Sequence, residues 1–142
     1  MLDVACGSGR HSKFFHEQGF DVVAVDREPL QMEEVTFVKT DLEDGSPWPL
    51  PGRLFGAIVV TNYLHRPLFP HLAAALAPRG VLIYETFMAG NERFGRPSNP
   101  EFLLKPGELR EAFKALQALG YEEGEVERPK RAVIQRICAL KR

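Results

Sequence analysis

The sequence predicts an α/β fold in which helices cover a mainly parallel sheet. Short apolar runs alternate with helix-like segments along the chain, as in proteins whose parallel strands are joined by helical crossovers. The last two apolar runs, 121–127 and 132–140, are separated by a short turn that contains Pro129. Because this turn cannot hold a helical crossover, we expect the two strands to form an antiparallel hairpin.

Seven strands and three helices are expected. The first helix covers 10–18 and ends at Gly19, the second begins at Pro67, and the third follows Pro106 and ends at Gly120. The spacing of its apolar residues predicts that the third helix buries Leu109, Ala112, Phe113, Leu116 and Leu119. The strands are predicted at 2–5, 21–25, 35–38, 57–61, 81–86, 121–127 and 132–140.

Three connections depart from a regular strand-helix alternation. The link 26–35 is too short for a helical crossover, and 44–52 contains three prolines, so both are expected to be irregular. The connection 87–107 is rich in Gly, Pro and Asn, and long loops in compact domains are often functional. Residues 91–100 within it are interpreted either as a lid over a bound molecule or as a purely structural loop.

Length and composition indicate one ordinary domain spanning residues 1–142. The chain is 44% hydrophobic and 26% charged, and it has no apolar run long enough for a membrane helix and no secretory signal, so we expect a cytoplasmic protein. A net charge of −1 gives nucleic acid no global attraction. Cys6 and Cys138 are expected to be free thiols, and the four histidines show no zinc-type spacing, so no metal site is expected.

The loop after the first strand is the clearest candidate for a binding site. Residues 2–9 read Leu-Asp-Val-Ala-Cys-Gly-Ser-Gly, a short apolar strand that runs into a glycine turn. Gly7 and Gly9 lack the Cβ atoms that would block a tight turn or keep a bound molecule away from the backbone. The spacing Gly7-x-Gly9-x-x-Ser12 resembles a dinucleotide-binding fingerprint, which by itself is a weak match.

Three carboxylates at successive strand ends narrow the ligand class. Asp3, just before the turn, would sit poorly beside a pyrophosphate but can help to hold an ammonium group. Asp26, at the end of the second strand, is placed to accept hydrogen bonds from ribose hydroxyls. Asp41, after the third strand, can accept a hydrogen bond from an adenine amino group. Together they predict a nucleoside site without a phosphate partner.

These residues lie in a series of motifs that resembles the class I S-adenosylmethionine-dependent methyltransferases. The matching pieces occur in the family's order and cover nearly the whole chain: LDVACGSG, VVAVD, FVKTDL, FGAIVVTNYLHR and PRGVLIYETF. The resemblance implies a Rossmann-like doubly wound sheet of seven strands, in the order 3-2-1-4-5-7-6 with strand 7 antiparallel. It also implies S-adenosylmethionine as the cofactor. Within the family the chain is most similar to small tellurite-resistance-like methyltransferases.

The resemblance implies a role for each matching position. The methionine part of the cofactor is expected near Asp3 and the loop Ala5, Cys6, Gly7, Ser8 and Gly9. The ribose is expected at Asp26, the adenine at Asp41 and Leu42, and the methyl group near Thr61, Asn62 and Tyr63. Ala5 is a departure, because many members have glycine there, and its Cβ narrows the approach.

Methyl transfer requires alignment of donor and nucleophile, and a base where the nucleophile carries a proton. Tyr63, His65 and Arg66 follow the fourth strand at the carboxyl edge of the sheet, where open α/β folds bind ligands. We interpret His65 as the candidate base, with a surface histidine as the alternative. Arg66 is a candidate for holding an anionic acceptor, with a solvated charge as the alternative.

The expected acceptor is a small molecule or a metalloid. The family's Asn/Asp-Pro-Pro-aromatic signature for amino groups of nucleic-acid bases is absent, because residues 61–64 read Thr-Asn-Tyr-Leu. Two alternatives stay open: a nicotinamide-dinucleotide-binding oxidoreductase domain, and an inactive methyltransferase-like binding or scaffold subunit. Since the motif begins next to Met1, we expect the family's usual N-terminal helices to be lacking. The result would be a partly open cofactor pocket or an apolar patch covered by a second subunit, as in a homodimer.

Overall fold

The computed structural model describes residues 1–142 and contains a single seven-stranded sheet. Its strands are β1 Leu2–Val4, β2 Val23–Asp26, β3 Thr36–Lys39, β4 Phe55–Thr61, β5 Leu76–Phe87, β6 Gln117–Val126 and β7 Ala132–Leu140. The order across the sheet is β3-β2-β1-β4-β5-β7-β6, and β7 runs antiparallel to both of its neighbours. The predicted fold class, strand order and terminal hairpin are therefore confirmed.

The helices are few and short. They are α1 Arg10–Glu17, α2 Phe69–Ala75 and α3 Glu108–Ala112, with single 3-10 turns at Arg66–Leu68, Asn91–Arg93 and Pro100–Phe102. Helix α1 agrees with the prediction, and Gly19 beyond its end has φ +92°, a left-handed conformation that suits glycine. As predicted, no regular helix connects β2 to β3 or β3 to β4. None of the helices is long and apolar enough to cross a membrane.

The third helix is shorter than predicted. It ends at Ala112, and the chain then forms β6, in which Gln117 lies opposite Leu140 of β7. The backbone groups of this segment are satisfied by the strand ladder, so the helical spacing of its apolar residues does not decide its structure. Leu109 and Phe113 are buried as predicted, whereas Ala112 is exposed and Leu119 is 55% exposed.

The two faces of the sheet are covered unequally. Most buried side chains form one cluster between the sheet and helices α2 and α3, with Tyr84 and Leu72 near its centre. The opposite face carries a much smaller cluster, against which Phe15 of α1 packs. On that face the β5 residue Ile83 remains 39% exposed. The larger cluster thus fixes β4 and β5, and residues at the carboxyl ends of these two strands contribute to the site described next.

Candidate active site

The loop between β1 and α1 is shaped by backbone geometry. Ala5, Gly7 and Gly9 all have positive φ, at 54°, 57° and 85°. The Gly7 N–H donates to Asp26 Oδ2 at 2.8 Å, which ties the loop to the end of β2. The φ of Gly9 favours glycine, and an added Cβ would lie 2.8 Å from Leu30 Cδ1, so the Leu30 side chain would have to shift.

Asp3 is buried beneath this loop and faces helix α1. Its Oδ2 accepts a hydrogen bond of 2.7 Å from the Ser12 hydroxyl, itself fully buried. Burial raises the pKa of Asp3, although the hydrogen bond from Ser12 opposes the shift. Burial, together with Asp3 and Asp26, also raises the pKa of the Cys6 thiol to about 12, so Cys6 stays protonated at neutral pH. Neither side chain lines a cavity.

The main cavity, of about 440 Å³, lies at the carboxyl ends of the parallel strands. Its carboxylates are fixed by the backbone: Asp26 Oδ1 accepts from the Glu28 N–H, and Asp41 Oδ1 accepts from the Glu43 N–H, both at 2.9 Å. Five predicted cofactor residues line it: Ala5, Asp26, Asp41, Leu42 and Asn62. Asp3, Cys6, Gly7, Ser8, Gly9 and Thr61 do not, although Gly7 touches Asp26.

An adjacent cavity of about 300 Å³ adjoins the main one. The two share Glu43, Asn62, Tyr63 and Phe102. The remaining walls of the adjacent cavity are Leu64, Thr86, Phe87 and Pro97. Of the region 91–100, interpreted either as a lid or as a structural loop, Pro97 alone lines this cavity, and Phe102 lies just beyond the region. Two cavities that share four lining residues can hold two molecules side by side.

Glu43 lies at the junction of these cavities, and the sequence analysis did not identify it. Its Oε2 accepts a hydrogen bond of 3.1 Å from the Tyr63 hydroxyl, and its Oε1 lies 3.9 Å from His65 Nδ1. Burial and the neighbouring Glu43 carboxylate raise the pKa of Tyr63 far above its usual value, so Tyr63 acts as a hydrogen-bond donor and not as a base. The sequence feature that could have pointed to Glu43 is the Asp41-Leu42-Glu43 turn, in which the Asp41 side chain accepts a hydrogen bond from the Glu43 N–H.

His65 does not line either of these cavities. It lines an outer cavity of about 300 Å³, whose other walls include Glu43, Trp48 and His71. The Trp48 and His71 rings stack with their centroids 5.5 Å apart. The outer and main cavities share the lining residues Thr40, Asp41, Leu42 and Glu43, and His65 Nδ1 lies 3.9 Å from Glu43 Oε1.

Arg66 lies outside all three cavities and is held by protein groups. Its Nε and Nη2 donate to the two carboxylate oxygens of Glu108, at 2.6 and 3.0 Å. Its Nη1 and Nη2 also donate to the carbonyl oxygens of Glu101 and Leu103. Four of the five guanidinium N–H groups therefore fix residues 101–108, and Arg66 lines none of the cavities in which an anionic acceptor could lie.

Comparison with known families assigns this architecture. Residues 2–83, more than half of the chain, match the family described as "Methyltransferase domain". The chain belongs to this methyltransferase family. The match covers β1 to β4 and the first part of β5, and therefore includes the glycine loop, Asp26, Asp41 and Glu43. A search of the curated proteins found no match.

Solved structures of methyltransferases have the same fold. TehB from Haemophilus influenzae is 17% identical with a TM-score of 0.76, and the match covers 99% of this chain and 57% of TehB. For 1,6-didemethyltoxoflavin-N1-methyltransferase from Burkholderia thailandensis the identity is 22%, the TM-score 0.73 and the coverage 99% and 69%. The N-methyltransferase NodS from Bradyrhizobium japonicum WM9 is 14% identical with a TM-score of 0.70, and the match covers 99% of this chain and 84% of NodS. This methyltransferase-family chain thus spans little more than half the length of TehB.

Proposed function

We propose that this protein transfers a methyl group from S-adenosylmethionine to a small-molecule or metalloid acceptor. The observation that carries the proposal is the pair of cavities with a common wall at the carboxyl edge of the sheet. The main cavity holds the nucleoside-binding carboxylates, and the adjacent cavity offers space for an acceptor. The family match over residues 2–83 supports the same assignment.

The residues of the main cavity fit the cofactor chemically. S-adenosylmethionine presents a ribose diol, an adenine amino group and two cationic centres, and all of these favour carboxylate partners. Asp26 accepts two backbone N–H groups, one on each oxygen. Each carboxylate oxygen can accept a second hydrogen bond, so both oxygens remain able to receive ribose hydroxyls. A cavity of about 440 Å³ is within the range of small-molecule and cofactor sites.

When bound, the cofactor supplies an electrophilic methyl group on a sulfonium. The protein's own contribution is to align an acceptor against it and to remove a proton where the acceptor carries one. Tyr63 and Asn62 belong to both cavities and are placed to orient the two molecules. Glu43 is placed to accept a proton, and His65 lies behind it as a second acceptor.

The finer assignment to small tellurite-resistance-like methyltransferases is part of this proposal. It is supported by the sequence motifs and by the likeness to TehB, whose 17% identity carries the fold alone. Two other neighbours are named as N-methyltransferases, and at 14% and 22% identity they too support the fold alone. An acceptor screen that measures release of S-adenosylhomocysteine, with tellurite and amines in parallel, distinguishes these possibilities.

The cofactor assignment is tested by calorimetric titration with S-adenosylmethionine, S-adenosylhomocysteine and NAD. We expect the first two to bind, and Asp26→Asn to weaken them by about tenfold because a charged hydrogen-bond acceptor is lost. Asp44→Asn is the matched control, because Asp44 also accepts from the N–H two residues on, at Ser46, but lies outside the cavities. It should leave both affinities unchanged.

Two results would decide for the alternatives. Binding of NAD without binding of S-adenosylmethionine would favour the oxidoreductase domain. Binding of S-adenosylmethionine without product release on any acceptor would favour the inactive scaffold subunit.

A further inference from the structure

We infer that the methyl acceptor is a small amine with an apolar body, and that the Glu43 carboxylate binds its nitrogen in the adjacent cavity. This inference rests on the proposed methyl transfer and narrows its substrate class.

The charge of the adjacent cavity is negative. Glu43 is the one charged residue among the eight that line it. No lysine or arginine nitrogen lies within 4.0 Å of the Glu43 carboxylate. The one basic side-chain nitrogen within that distance is His65 Nδ1, at 3.9 Å. The Glu43 side chain therefore presents an uncompensated anion where the two cavities meet. An ammonium or a neutral amine, which can donate hydrogen bonds, complements it.

An anionic acceptor finds no partner in the same place. Arg66, the cationic residue that follows β4, is occupied by Glu108 and two backbone carbonyls. Arg27 lines the main cavity but not the adjacent one. An oxyanion such as tellurite would therefore lie near Glu43 without a compensating cation from the protein, which is electrostatically unfavourable.

The walls of the adjacent cavity suit an apolar body beside the nitrogen. Tyr63, Phe87 and Phe102 provide aromatic surface, and Leu64 and Pro97 provide aliphatic surface. Aromatic rings attract ammonium groups through their faces, so these walls also favour a cation over an anion. The volume of about 300 Å³ limits the acceptor to a small molecule.

Glu43 is also positioned for the proton that methyl transfer releases. An acceptor bound as an ammonium first gives one proton to Glu43, which frees the lone pair of the nitrogen. That lone pair forms the new bond to the methyl carbon, and the carbon–sulfur bond breaks with its electrons remaining on sulfur. The Tyr63 hydroxyl, which donates to Oε2 at 3.1 Å, holds the carboxylate in place. Oε1 lies 3.9 Å from His65 Nδ1, beyond hydrogen-bond distance.

The test measures binding of small probes to the full chain, with and without saturating S-adenosylhomocysteine. The probes are benzylamine, cyclohexylamine, benzyl alcohol, benzoate and tellurite. We expect the two amines to bind more tightly than the other three. Glu43→Gln should weaken amine binding by about tenfold, because it keeps the side chain's shape and removes its charge. Tyr63→Phe should weaken it by a smaller factor.

Glu34→Gln is the control, because Glu34 is exposed and outside every cavity described. It should leave amine binding unchanged. The inference is overturned if neither amine binds, if benzoate or tellurite binds as tightly as the amines, or if Glu43→Gln changes amine affinity by less than about twofold. Binding of S-adenosylhomocysteine in the same samples shows that the proposed function survives such a failure. Absence of S-adenosylhomocysteine binding would overturn both.

Discussion

Two walls enclose the cavities, and they are held in different ways. The inner wall, residues 5–9, 26–28 and 40–46, is fixed by glycine geometry and by carboxylates that accept nearby backbone N–H groups. Asp26 bonds to the Glu28 N–H, and Asp41 bonds to the Glu43 N–H. Two of its hydrogen bonds join residues that are distant in sequence, from the Gly7 N–H to Asp26 and from the Tyr63 hydroxyl to Glu43. Asp26 and Asp41 are each held by an N–H two residues on, so much of the shape of this wall is set by the local sequence.

The outer wall, residues 87–108, is fixed by side chains that are distant in sequence. Asn91 Oδ1 accepts from the Val133 N–H at 3.0 Å. The fully buried Gln135 of β7 accepts from the Leu109 N–H at 2.6 Å and donates to the Lys105 carbonyl at 2.9 Å. Arg66, which follows β4, also donates hydrogen bonds to this wall, at Glu101, Leu103 and Glu108. The outer wall therefore depends on a few buried side chains, and single substitutions should damage it more than the inner wall.

The largest effect is expected for Gln135→Ala. The substitution leaves the Leu109 N–H and the Lys105 carbonyl without their partners and opens space in the core, which should lower the free energy of unfolding by about 3 kcal/mol. Urea unfolding gives this value from the shift of the midpoint. Gln117→Ala on exposed β6 is the control and should change stability by less than about 0.5 kcal/mol. Equal effects of the two substitutions would contradict the proposed dependence on buried side chains.

A smaller effect, with a characteristic pH dependence, is expected for Arg66→Met. Loss of the paired hydrogen bonds to Glu108 should cost about 2 kcal/mol at pH 7, an amount reduced by the partial exposure of the pair. Burial alone would raise the pKa of Glu108, but the hydrogen bonds from Arg66 and the Lys105 N–H outweigh it and lower this pKa.

The sign of the pH dependence follows from that lowered pKa. The stabilisation that ionised Glu108 gives to the folded protein is fully present above the carboxyl pKa of the unfolded chain, about 4.3. It is lost as the pH falls through the lower pKa that Glu108 has in the folded protein. The difference between wild type and Arg66→Met should therefore shrink on acidification below about pH 4. Exposed Arg128→Met serves as the control and should show neither the cost nor the trend. A constant difference from pH 7 to pH 3 would argue against the ion pair.

The same contrast explains what the sequence could predict. The strand order, the glycine loop and the carboxylates of the inner wall follow from local patterns and from the family resemblance. Arg66 and Glu108 are 42 residues apart, and no spacing rule links them. The apolar spacing of 109–119 fits a helix, but pairing of Gln117 with Leu140 makes the segment a strand. Long-range contacts, which decide the outer wall, are not visible in local periodicity.

The smallest effect is expected in the inner wall, and it should have the opposite sign. Ala5 has φ 54°, which costs a residue with a Cβ about 1 kcal/mol, whereas glycine adopts this conformation freely. After subtracting the extra entropy of glycine in the unfolded chain, Ala5→Gly should stabilise the protein by about 0.5 kcal/mol. Ala118→Gly, at an exposed strand position without positive φ, should destabilise it by about 0.5–1 kcal/mol. If chemical denaturation showed both substitutions to be destabilising, local backbone geometry would not be what holds the inner wall.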